Sequence, residues 1–153
     1  MRYVDPLGLF TVSLCVKGTA SFGIATGGGP CLNFGYDRKE GFSLSATGTA
    51  GLGGGGIGAS VGFSVAWSNA PSVFELNGPF VYGGAGAGVG PVGAVYGFAG
   101  RGSRGIIGGT ELFGGWGLKL PTTIAPPFAV EGGVTTTSTV VGAGKRGLVL
   151  FQP

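Results

Sequence analysis

From Ile57 to Trp67 the chain reads Ile-Gly-Ala-Ser-Val-Gly-Phe-Ser-Val-Ala-Trp, with apolar residues at every odd position and small ones at every even position. A period of two belongs to a β-strand, whose successive side chains point to opposite faces. One face of such a strand can pack against apolar material while the other is almost bare. Weaker versions of the pattern fill much of the chain. Val12, Leu14 and Val16 alternate with Ser13, Cys15 and Lys17, and a later run alternates through Val92, Ala94, Tyr96 and Phe98.

No stretch sustains helical spacing for two turns, and each of the 37 glycines would cost a helix interior about 1 kcal/mol. Counting alternating runs predicts about eight to twelve short strands. The expected fold is therefore all-β: a glycine-rich antiparallel barrel or two-sheet sandwich. At 153 residues the chain suits one core, placed as a single domain over residues 10–153.

Composition narrows the class further. Charged residues make up 10% of the chain, against a usual ~25%. Disordered chains are rich in charge and poor in aromatic and β-branched residues, whereas this one holds eleven Phe, four Tyr and two Trp. Collagen needs glycine at every third position, and Gly84-Ala-Gly86-Ala-Gly88-Val-Gly90 repeats every second. The formal charge is +3, and Arg38-Lys39, Arg101 with Arg104, and Lys145-Arg146 sit in glycine-flanked, turn-like places. A nucleic-acid groove would line such residues up with stacking aromatics, so no nucleic-acid partner is expected. There is no apolar run long enough for a transmembrane helix and no signal-peptide pattern.

Recognisable reaction chemistry is nearly absent. Without histidine, the commonest general base and metal ligand are both missing. Cys15 and Cys31 lack the paired spacing of a zinc site; they are read either as a disulfide across neighbouring strands or as two buried thiols. Gly53-Gly-Gly-Gly56-Ile-Gly58 is followed by a strand, not by the helix that a phosphate loop requires. Glu111 and Glu131 would form an acid/base pair only if folding joined them; otherwise they are solvated residues on separate strands. No catalytic residue, metal ligand or cofactor is assigned.

The opening segment Arg2-Tyr3-Val4-Asp5-Pro6-Leu7-Gly8-Leu9 resembles the junction that closes the conserved core of RHS/YD-repeat polymorphic toxins of bacteria. In that family the repeats form a shell around a variable C-terminal cargo, and the junction aspartate helps to release it. The resemblance implies that Asp5 is a remnant of the autocleavage motif, with the cut between Leu9 and Phe10. Residues 10–153 would then be the cargo, secreted or delivered within a larger RHS protein and countered by an immunity protein.

Three functions follow as expectations. The first is a membrane-acting toxin, pore-forming or permeabilising, whose amphipathic strand presents Ile57, Val61, Phe63, Val65 and Trp67 to lipid. Low charge removes the main cost of entering a bilayer. The second is a non-catalytic module that binds another protein surface or self-associates through glycine-lined strands. The third, an enzyme with a site assembled only in three dimensions, has the least support. A water-soluble barrel, in which the apolar face is simply the core, is the ordinary counterpart to the first.

Overall fold

The computed structural model describes residues 10–38, 41–103, 105–120, 129–144 and 147–152. The junction segment and its Asp5 lie outside them. Among the described residues six strands run in order: β1 (Phe10–Asp37), β2 (Gly41–Ser68), β3 (Gly78–Gly102), β4 (Gly105–Leu120), β5 (Ala129–Gly144) and β6 (Gly147–Gln152). A single-turn 3-10 helix, Val73–Leu76, lies between β2 and β3, capped by the Ser72 side chain on the Phe74 amide. All-β is thus the fold class, but with six strands where about eight to twelve short ones are expected.

The difference arises because glycine bends the ladders without ending them. β1 and β2 pair antiparallel along nearly their whole length, from Thr11↔Ser68 to Asp37↔Gly41. Gly18 and Gly27–Gly29, turn sequences on paper, lie inside that ladder. The one slip falls between Phe22 and Ile24, at Gly23, whose φ of 75° belongs to the left-handed region that glycine enters without a Cβ penalty. There β1 folds back on itself. Phe10 then reaches Tyr36, with ring centroids 6.5 Å apart, and Cys15 reaches Cys31, with Cα atoms 4.0 Å apart. β3 folds in the same way: a Cβ built on Gly86 would lie 2.8 Å from the Gly93 carbonyl oxygen.

β2 bends through Gly53–Gly56 and changes neighbour on its other edge. Its first half pairs with β5 and its second with β4. β3 does the same, meeting β5 over Gly78–Gly86 and β4 over Gly88–Gly102. The ring β2–β4–β3–β5 therefore closes on itself, which makes the fold a barrel and not a sandwich. β1, β2 and β3 contribute two staves each, β4 and β5 one each, so eight staves surround the lumen. Gly62 and Gly115 face each other in this wall, where a Cβ on Gly62 would lie 2.3 Å from the Gly114 carbonyl oxygen. The close approach admits no side chain at either position.

Candidate functional site

Parity along each strand assigns side chains to the lumen or to the outside. On β2, Ile57, Val61, Phe63, Val65 and Trp67 all point outward; Val61 is 59% and Phe63 71% exposed. Their small neighbours Ser60, Ser64 and Ala66 point inward and are buried, Ser64 to 2%. The apolar face of that strand is therefore not the core of the barrel. Leu14, Val16, Phe22, Ile24, Leu52, Val95, Trp116, Val130 and Val134 continue the exposed apolar surface around the barrel.

The charged residues are distributed in the opposite sense. Of those described, Lys119, Glu111, Glu131 and Asp37 are buried and Lys17 and Glu75 half-buried. Only Arg38 and Arg101 are exposed, both at strand ends. The belt between the ends carries no described charge. Phe10, Tyr36, Phe42 and Trp67 lie exposed near the end where the β1–β2 turn sits.

Two ion pairs cross the lumen. Lys17 of β1 meets Glu111 of β4 across the width of β2, with Nζ 2.5 Å from Oε1 and 2.7 Å from Oε2. They can meet because the β2 residues between them are Gly62, Ser64 and Ala66. Lys119, 3% exposed, donates to Glu131 Oε2 at 2.7 Å and also to the Tyr96 hydroxyl. Tyr96 in turn donates to Glu131 Oε2 at 2.8 Å. Glycine makes room here as well: a Cβ on Gly55 would come within 2.8 Å of Glu131 Cγ.

Hydroxyls and one amide line much of the remainder. Asn33 donates to Thr47 Oγ1 at 2.9 Å and to Ser45 Oγ at 3.1 Å, and Thr19 and Ser60 share a hydrogen bond of 2.8 Å. The β3–β4 side is greasier, with Val92, Ala94, Tyr96 and Phe113 packed together and Tyr82 against them. Between these layers lies a cavity of about 150 Å³ that touches Ser13, Lys17, Thr49, Glu111 and Thr135. An eight-stave barrel has an interior that side chains nearly fill, and this one follows the rule.

One end of the lumen is stoppered. The 69–77 segment tucks Ala70 and Val73 fully out of solvent. Thr11 donates to the Ala70 carbonyl at 3.0 Å, and Thr139 to Asn77 Oδ1 at 2.7 Å. Ala70 and Leu76 pack with Phe80 and Ile107 below Phe98.

The sequence candidates sort accordingly. The five outward residues of β2 share one face, as expected. Cys15 and Cys31 form a disulfide, but between two halves of one strand and not between neighbouring strands. Glu111 and Glu131 are not solvated; both enter the lumen, each held by its own lysine. The ion pairs and the stopper are absent from the sequence reading. Parity offered one signal: Lys17 shares its register with Ser13, Cys15 and Thr19, and so belongs to the small, inward face. Among the described residues no three His, Cys, Asp or Glu side chains gather as metal ligands would. Among them too, no helix is long and apolar enough to cross a membrane. No protein-family model, curated protein or solved structure matches this chain.

Proposed function

We propose that this chain acts in a lipid bilayer, as the membrane-permeabilising C-terminal effector domain of an RHS-type bacterial toxin. The observation that carries the membrane reading is the inversion of the barrel: an uncharged apolar belt outside, with ion pairs and hydroxyls inside. Lipid satisfies such a belt, and a closed barrel leaves few unpaired backbone groups to meet hydrocarbon. The paired half of β1, Thr11 to Phe22, at about 3.3 Å per residue and a tilt near 45°, reaches roughly 28 Å, close to the ~30 Å of a bilayer core. The toxin reading rests on the Arg2–Leu9 segment alone. It brings with it delivery inside a larger protein and an immunity partner.

In the form described, the lumen is closed by the 69–77 stopper, so permeabilisation follows withdrawal of that segment. No reaction is assigned to Glu111, Glu131 or any other residue. A second reading, self-association, has one observation in its favour: β6 pairs only with β5 among the described strands and exposes Leu148 and Leu150. The test is release of an entrapped dye from liposomes by the purified chain, with folding followed by circular dichroism. Release at low protein-to-lipid ratio supports membrane action. A folded protein that neither binds nor permeabilises vesicles overturns it.

A further inference from the structure

The lumen cavity of about 150 Å³ has two unlike walls. One is an arc of hydroxyls, with Ser13 and Thr19 from β1, Thr47 and Thr49 from β2 and Thr137 from β5. The other is an arc of rings from the neighbouring strands β3 and β4: Phe80, Tyr82, Tyr96, Phe98 and Phe113. Phe80 meets Phe98 edge-on with centroids 6.0 Å apart, and Tyr82 meets Tyr96 in the same manner at 6.2 Å. Such a wall offers ring faces and edges to a further ring.

Several of the hydroxyls are already engaged. Thr49 donates to the Gly29 carbonyl at 3.1 Å, and Thr19 shares its bond with Ser60. Ser13 and Thr137 are different. Each is 9% exposed, both border the cavity, and neither hydroxyl has a hydrogen-bond partner among the described residues. A buried hydroxyl without a partner is costly, so these two mark where the polar edge of a ligand would be held.

Charge and size narrow the class. The two carboxylates that border the cavity, Glu111 and Glu131, are each matched by a lysine. An ion entering beside them would have to break a pair or go uncompensated, which selects an uncharged molecule. A cavity of this volume accommodates a single benzene-sized ring. A sugar ring, hydroxylated on every side, would leave its groups unbonded against the β3–β4 aromatics.

Independently of the membrane reading, we propose that the lumen is a binding site for an uncharged single-ring aromatic molecule of the phenol class. Its ring lies against the aromatics of β3 and β4, and its hydroxyl bonds to Ser13 or Thr137.

The experiment is titration of the full chain in detergent micelles with phenol, benzene and benzoate at neutral pH, followed by saturation-transfer NMR of the ligand, with empty micelles as the blank for partitioning. The expected result is saturable binding of phenol, about fivefold weaker binding of benzene, which lacks the hydroxyl, and no saturable binding of the benzoate anion. Ser13→Ala with Thr137→Val removes both free hydroxyls at little change in shape. It should weaken phenol about fivefold and leave benzene unchanged. A folded chain that shows no saturable phenol binding would mean that the cavity holds water only, and would overturn the inference. So would phenol binding that the double variant leaves intact, or benzoate bound as tightly as phenol. If the double variant fails to fold by circular dichroism, the comparison of phenol with benzoate and benzene on the parent chain decides the matter.

Discussion

Lys17 and Glu111 are separated by a whole strand, yet their side chains meet, with Nζ 2.5 Å from Oε1. β2 lies between them and presents nothing larger than serine at Gly62, Ser64 and Ala66. The bare face of the Ile57 to Trp67 stretch thus has a purpose in the fold: it is the floor over which an ion pair closes the lumen. A charge left alone in such a place costs far more than the pair contributes.

Lys17→Met, which strands Glu111, should therefore destabilise the barrel by about 3 kcal/mol. The double variant Lys17→Met with Glu111→Gln should recover most of that loss. Urea unfolding in detergent micelles, followed by tryptophan fluorescence, measures both. Equal losses in the single and double variants would mean that the pair is not coupled.

Outside the barrel, Phe63→Arg should cost about 2–4 kcal/mol of membrane insertion if the position lies at the bilayer midplane. Ser64→Ala, one residue along but facing the lumen and no larger than the serine it replaces, should leave insertion unchanged. Floatation of vesicles with bound protein compares the two. A Phe63→Arg variant that inserts like the parent would place lipid elsewhere on the barrel.

The disulfide Cys15–Cys31 clamps the two halves of β1 across its fold at Gly23. Closing a loop of that length corresponds to about 3 kcal/mol in the chain-entropy account. Reduction, or Cys15→Ser with Cys31→Ser, should lower the thermal midpoint while keeping the strand signal in the far ultraviolet. An unchanged midpoint would show that the β1 fold holds without the bond.

Val73 is the buried centre of the stopper, and Thr139 ties the segment through Asn77. Val73→Gly together with Thr139→Val should loosen it and raise single-channel open probability in planar bilayers several-fold. Conductance indistinguishable from the parent would mean that ions do not pass along the lumen.

How much of this could be read in advance depended on range. Alternation along β2 assigned Ile57, Val61, Phe63, Val65 and Trp67 to one face correctly, since parity is a local property. Strand limits were less legible: Gly18 and Gly27–Gly29 look like turns, but cross-strand pairing to β2 carries the chain through them. Only Gly23, one of several similar glycines, takes the positive φ at which β1 reverses.

The sequence by itself determined that this is a β protein with two chemically distinct strand faces, little charge between turns and no sustained α-helical spacing. It could not say which face is inward, because period two is the same whether the apolar side meets a core or a membrane. Tertiary structure decided that when β2 took β5 along one half and β4 along the other and the ring closed. The same closure brought Lys17 to Glu111 and Lys119 to Glu131. It also set the ladder ends Asp37↔Gly41, Gly102↔Gly105 and Gly144↔Gly147 on one rim, since strands that double back return their ends to where they began. Each of these is a contact between residues distant in the chain, and no local pattern encodes it.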